Sequence, residues 1–184
     1  MLYPTTTITL KNGKEATFRS PRKEDAAELL AYLRQTAEET EFVLRYPEEV
    51  TMTVEQEEAF IEHTNQSTNN YMIVCVVDGK HAGNCALQFH DKIKVRHRGE
   101  VAIALVREFW GMGIGTFMFE EMIRLAREYG ASQLELGVVD GNERGLALYR
   151  KMGSCGRRDC LWGYARQDIP TCVRLSLQAT AQRR

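Results

Sequence analysis

Residues 100–116 read EVAIALVREFWGMGIGT. An apolar run over 101–106 stops at charged Arg107 and Glu108, and glycines then alternate at 111, 113 and 115. From Ile114 onward the apolar residues fall at 117, 118, 122, 125, 126 and 129, the spacing of one helix face. The stretch is therefore a strand, a glycine-rich turn and an amphipathic helix. Glycine lets backbone N–H groups turn toward a ligand with no side chain in the way. A helix N-terminus adds partial positive charge and unpaired donors. Together they favour a phosphate-bearing ligand over a turn built for packing alone, because three alternating glycines exceed what a turn requires.

The chain has 184 residues, a length that favours one domain with a sizeable core. Hydrophobic residues make up 43% and charged residues 27%, and the net charge is −1, so composition points to neither nucleic acid nor a membrane surface as partner. No apolar run approaches the span of a bilayer, and the start, MLYPTTTITL, lacks the basic and apolar regions of a signal peptide. The five cysteines (75, 85, 155, 160, 172) include no C-x-x-C pair, which reads as reduced, buried thiols in a cytoplasmic protein. His81 and Cys85 could share a strand face, but no third ligand stands at metal spacing, so no metal is expected.

Residues 5–10 and 15–19 bracket Asn12-Gly13, a type I′ signal for an opening hairpin. Pro21 precedes a helix whose buried face is Ala26, Leu29, Leu30, Leu33 and Ala37. Residues 38–51, EETEFVLRYPEEVT, read as an irregular connector with a short helical piece. Thr53-x-x-Gln56 is a capping box opening a helix to about His63. Strands follow at 71–77 and 82–90, joined by the hairpin signal Asp78-Gly79, and a charged loop covers 91–99. After the central strand and helix, Gly130 is a C′ residue. A strand at 133–139 leads to Asn142, the N-cap of a helix over 143–152, and strands at 155–164 and 171–177 close the chain. The order β-β-α-α-β-β-β-α-β-α-β-β is a mixed α+β arrangement, one domain over 1–178 with a polar tail at 179–184.

The second half resembles the GNAT superfamily of acetyl-CoA-dependent N-acetyltransferases. The family's Arg/Gln-x-x-Gly-x-Gly/Ala signature reads here Trp110-x-x-Gly113-x-Gly115, departing at its first position. Of the second signature, Asn-x-x-Ala-x-x-Leu-Tyr-x-x-x-Gly-Phe, Asn142, Leu148, Tyr149 and Gly153 match, while Gly145 replaces Ala and Ser154 replaces Phe. The resemblance covers about residues 70–165 and implies a mostly antiparallel central sheet with splayed central strands and helices on both faces. It also implies acetyl-CoA as cosubstrate, with Leu105 and Val106 at the pantetheine and thioester. Met112, Gly113, Ile114, Gly115 and Thr116 would lie on the pyrophosphate, with Asn142 nearby. A nicotinamide dinucleotide is the rival for the glycine turn, and Glu135 falls near the right distance for its ribose. That fold wants G-x-G-x-x-G and further βαβ units, and here the chain closes on consecutive strands instead.

Tyr149 matches the family's general acid. A phenol is protonated at neutral pH and can donate to a leaving thiolate; by helix spacing alone it is a core aromatic. Glu100 is the base candidate, acting directly or through water, against a plain ion pair with Arg96 or Arg98. His97 is the second candidate base. The acceptor is an amine, preferentially of a small molecule; a peptide acceptor and a non-catalytic acyl-CoA module are the alternatives. The connector carries Glu38, Glu39, Glu41, Glu48 and Glu49, suited to a cation, while Lys92, Lys94, Arg96 and Arg98 suit a carboxylate. A homodimer is compatible with the family and not specified by the sequence.

Overall fold

The structure, a computed structural model, describes residues 1–139, 141–153, 155–156 and 172–178. The elements in order are β1 (Thr6–Thr9), β2 (Glu15–Arg19), α1 (Ala26–Glu39), α2 (Val54–Gln66), β3 (Asn70–Val77), β4 (Lys80–Phe89), β5 (Arg98–Leu105), α3 (Ile114–Tyr129), β6 (Gln133–Val139), α4 (Glu143–Lys151), β7 (Cys155–Gly156) and β8 (Cys172–Gln178). The predicted strand over 155–164 is described only at its first two residues, and the expected tail lies outside the described residues. Among the described residues no helix is long and apolar enough to cross a membrane.

Local chemistry explains most boundaries. Thr53 and Gln56 close a reciprocal capping box at the start of α2, the threonine hydroxyl accepting from Gln56 N–H at 3.3 Å and the glutamine accepting from Thr53 N–H at 2.9 Å. Gly130 ends α3 with φ of 90°, a left-handed conformation that favours glycine. Asp78 and Gly79 both have positive φ, as a two-residue type I′ turn demands. The first hairpin differs from its expected type I′ turn. Only Gly13 has positive φ; Leu10 N–H donates to Lys14 C=O, and Gly13 N–H donates to Leu10 C=O. This is a three-residue loop in which glycine alone takes the left-handed position.

The sheet has the order β1-β2-β3-β4-β5-β6-β8-β7. Every neighbouring pair is antiparallel except β5–β6. That parallel pair is joined only at Arg98↔Gln133, Gly99↔Leu134 and Glu100↔Glu135. Beyond Glu100 the strands part, leaving a notch between the ends of β5 and β6.

Helices cover both faces. Tyr32 of α1 reaches the Ala104 carbonyl and Asn84, while Gly115 of α3 packs against Leu105, Ile103 and Leu148 of α4. Because Tyr32 meets the Asn84 side chain, which shares its face with cross-strand partner Ala104, while Gly115 meets the Leu105 side chain on the other face, α1 lies on one side and α3 with α4 on the other. The α1 stripe is rotated from its expected one: Tyr32 and Thr36 are buried, Leu33 and Ala37 only partly. The Thr36 hydroxyl donates to the Tyr32 carbonyl at 3.0 Å, which makes threonine acceptable in that row.

Phe119 is fully buried and its ring lies 5.4 Å from that of Tyr149, joining α3 to α4 behind the notch. Phe119→Ala is expected to lower stability by about 3–5 kcal/mol, read from urea melts. A change below about 1 kcal/mol would mean the two helices do not depend on this contact.

Candidate cofactor cleft

A cleft of about 560 Å³ opens at the notch. Its floor is the glycine turn. Gly111 and Gly113 have φ of 79° and 101°, which a side-chain-bearing residue adopts only with strain. Gly115 has a different reason to be glycine: an added Cβ would come within 3.3 Å of both Leu105 and Leu148 side chains. Helix α3 starts at this turn with no side-chain cap and no acidic residue in its first turn, so its leading N–H groups are offered to the cleft. Gly113, Gly115 and Thr116 line it.

The walls divide by chemistry. Ile103, Leu105 and Leu148, with Phe42 and Val43 from the α1–α2 connector, make an apolar passage, while Lys11, Arg144 and Lys151 bring positive charge to the lining. Trp110, at the departing position of the first signature, holds the rim together. Its indole N–H donates to the Leu105 carbonyl at 2.8 Å, and the guanidinium carbons of Arg144 and Arg107 lie 5.0 and 5.5 Å from its ring centroid. Arg107 also ties the end of β5 to the end of α1: its N–H donates to the Glu39 carboxylate at 2.6 Å and its guanidinium to the Glu39 carbonyl.

The expected cofactor residues separate into two groups. Leu105, Gly113, Gly115, Thr116 and Asn142 line the cleft. Val106 does not: it is buried, and its N–H donates to the Ala82 carbonyl at 3.0 Å. This bond also sets the alternation along β5, so the amides that face the notch are those of Ile103 and Leu105. The assignment of Val106 is corrected accordingly. Ile114 is fully buried in the core, and the Met112 sulfur lies 3.4 Å from Asn12 Nδ2 at the first hairpin; these two can offer the cleft backbone only. Asn142 caps α4, its Oδ1 accepting from Gly145 N–H at 2.8 Å. A Cβ at 145 would fall 2.9–3.0 Å from Asn142 side-chain atoms, which accounts for glycine where the family pattern has alanine.

Tyr149 is 7% exposed, on the α4 face turned to Phe119, and burial pushes its phenol up to about 12. Glu100 is the last β5 residue paired with β6, at the vertex of the notch, and its carboxylate lies 3.5 Å from His90 rather than on Arg96 or Arg98. Its side chain is 54% exposed and three residues from Ile103, roughly 10 Å along the strand. His97 uses its carbonyl to accept from Ser132 and Gln133 N–H and is exposed. Arg98 is committed to Glu135, so the basic loop has one fewer arginine for a carboxylate ligand. In the connector Glu39 and Glu49 are engaged by backbone N–H groups, while Leu44 and Tyr46 stand exposed.

Three features were not anticipated. Tyr32 is buried against the sheet and hydrogen-bonded to it. Glu57 on α2 is 2% exposed; burial pushes its carboxyl up, with Arg45 acting in the opposite sense. The register shift at Cys75/Val76 puts an extra residue into β4, so His81 faces Asp25 and Glu28 at 3.9 and 3.3 Å instead of sharing a face with Cys85. Cys75 and Cys85 are buried free thiols, and burial pushes Cys75 up to about 12, as expected for inert cysteines; the other three side chains lie outside the described residues.

Glycines kept small, uncapped helix N–H groups, rim cations and an apolar passage suit a ligand with a phosphate end and a slender apolar arm. The comparisons with known proteins agree. A solved acetyltransferase of the GNAT family from Streptococcus pneumoniae is 26% identical and superposes with a TM-score of 0.80, covering 89% of this chain and 98% of that one. A protein assigned as an acetyltransferase from Salmonella typhimurium, solved with its cofactor acetyl-CoA, shares the fold at 17% identity and a TM-score of 0.72, over 89% and 93% of the two chains. A thialysine N-epsilon-acetyltransferase from Bos taurus is 38% identical over 47 residues, 26% of this chain and only 28% of that protein's length. Residues 26–154 match the Acetyltransferase (GNAT) family. The chain belongs to that family of acetyl-CoA-dependent N-acyltransferases.

Proposed function

We propose that the domain over residues 1–178 transfers an acetyl group from acetyl-CoA to a primary amine of a small molecule. The observation that carries this is the glycine cradle at the mouth of the β5–β6 notch, where phosphate-directed N–H groups meet an apolar passage. Acetyl-CoA supplies an activated acyl group, and the acceptor's neutral amine attacks its carbonyl. The backbone of Met112, Gly113, Ile114, Gly115 and Thr116 holds the pyrophosphate, and Asn142 keeps α4 in place beside it. The Ile103 and Leu105 amides face the arm and the thioester. Lys11, Arg144 and Lys151 add charge complementarity to the phosphates.

Tyr149 serves as the general acid. Burial keeps its phenol protonated at neutral pH, so a proton is present for the leaving thiolate. Glu100, at the vertex of the notch, takes the amine proton through intervening water, since its distance along the strand is too great for direct contact. The shared stretch with thialysine N-epsilon-acetyltransferase supports a small amine, as do the acidic connector residues Glu38, Glu41 and Glu48, which suit a cation. A peptide acceptor is the second reading, favoured by exposed Leu44 and Tyr46 on that connector.

Four measurements test this. Saturating acetyl-CoA should raise the melting temperature, whereas NAD should not; absence of any shift with acetyl-CoA would remove the main reading. Gly113→Asp places a side chain at φ of 101° and a negative charge beside phosphate, so acetyl-CoA affinity should fall at least about a hundredfold while far-ultraviolet circular dichroism is retained. Tyr149→Phe should lower turnover by roughly ten- to a thousandfold with little change in cofactor affinity; unchanged turnover returns Tyr149 to a packing role. Glu100→Gln should lose activity that recovers partly as pH rises and more amine is already neutral. A mutant-to-wild-type ratio flat across pH argues against Glu100 as base. Turnover is read in a thiol-release screen over polyamines, aminoglycosides, amino acids and short peptides. Activity confined to peptides would select the second reading.

A further inference from the structure

Tyr32 does more than fill space under the sheet. Its hydroxyl lies in the rung between Asn84 of β4 and Ala104 of β5. It donates to the Ala104 carbonyl at 2.8 Å and accepts from Asn84 N–H at 3.2 Å. Asn84 Oδ1, at 3.0 Å, competes for the same hydroxyl proton. A tyrosine side chain from a helix therefore bridges two backbone groups in a strand pair. It does so on the residue between the two amides that face the notch. On the opposite face β5 comes so close to β4 that a Cβ on Gly83 would lie 2.2 Å from a Leu105 methyl and 2.8 Å from the Ala104 carbonyl oxygen. The end of β5 is thus held from both sides: by a hydroxyl on the α1 face, and by the missing side chain of Gly83 on the α3 face.

We propose that Tyr32 is a positioning residue for the acyl group: by holding the Ala104 carbonyl it fixes the Ala104–Leu105 peptide plane and so keeps the Leu105 amide turned into the notch, where a thioester carbonyl is received. The proposal rests on the acetyl-CoA reading given above. Several features separate this role from ordinary packing. Tyr32 touches neither cradle nor rim. Its bond is to backbone, and the amide it orients belongs to the next residue, Leu105. A phenylalanine in its place keeps the ring and removes only the bridge. Asn84 and Ala104 stay paired as a rung of the β4–β5 ladder, but the Ala104 carbonyl loses its second hydrogen bond and its peptide is freer to rotate. That rotation changes the direction of the Leu105 amide and leaves the pyrophosphate cradle, built on α3, as it was.

The test compares acetyl-CoA with free CoA, which has the same phosphates and arm but no thioester carbonyl. In Tyr32→Phe, acetyl-CoA affinity by calorimetry should fall about tenfold, the scale of one misdirected hydrogen bond, while CoA affinity stays within about twofold of wild type. Turnover should fall with it, and the acceptor KM should not change. An equal loss for both ligands would reveal general structural damage, and no loss for either would show the bridge to be irrelevant; both overturn the proposal. Should Tyr32→Phe fail to fold, amide hydrogen exchange on the wild-type protein decides. Leu105 must be protected more by acetyl-CoA than by CoA, and equal protection overturns the proposal. If wild type binds neither ligand, the acetyl-CoA reading itself has failed.

Discussion

β5 and β6 run parallel, share hydrogen bonds through Glu100↔Glu135, and then stop sharing them although both strands continue. The rest of the structure depends on that divergence. Had the ladder continued, the Ile103 and Leu105 amides would be spent on β6, as the Val106 amide is spent on Ala82. Backbone donors inside a sheet are rarely left without partners, so a gap there is a place for something else to bind. The crossover helix α3 begins at the mouth of the gap because a parallel pair needs a crossover connection. Its uncapped N-terminus and the open strand edge therefore reach the cleft by the same topological step.

A gap in the middle of a sheet needs support. The structure provides it with side chains acting on single backbone groups. Trp110 occupies the Leu105 carbonyl, Tyr32 the Ala104 carbonyl, and Glu39 the Arg107 N–H. Each comes from a different segment: the glycine turn, the face of α1 and the end of α1. The strand end is left with the Ala104 carbonyl held on the β4 side and, on the notch side, the Leu105 carbonyl taken by Trp110, so that the Leu105 amide remains open to the notch. Gly115 and Gly83 serve the same end by absence, since a methyl at either would press on the Leu105 side chain. The apolar wall of the cleft and its polar edge are thus set by one short run of β5.

Most of this fold was legible from the chain. The glycine turn, the capping box at Thr53, the C′ glycine at 130 and the Asp78-Gly79 turn are local signals with local causes, and the structure has each of them. What was not legible is non-local. Tyr32 sits beside the expected apolar stripe of α1, and only the sheet above it explains why a tyrosine is buried there. The extra residue in β4 flips the face of His81, and nothing in the alternation of that strand announces it. Which amides of β5 face the notch depends on the register with β4. A reading of 105 and 106 as neighbours along the chain could therefore not tell that only the first of them is turned inward.

Of the departures from the family's signatures, that at Trp110 is of the same non-local kind and that at Gly145 is local. Trp110 stands where an arginine or glutamine is usual, and by itself that removes a polar side chain from the turn. Its ring, however, is flanked by Arg107 and Arg144, so positive charge is brought to the same place from the end of β5 and from α4. Arg144 also lines the cleft, which an arginine at 110 would crowd and repel. Gly145, where alanine is usual, makes room for the Asn142 side chain to fold over the first turn of α4 and cap it. Trp110 and Arg144 lie on different elements, whereas Gly145 and Asn142 share the first turn of α4. The pattern is changed at one position and the physical requirement, a cation at the rim or a capped helix beside the cleft, is met from another.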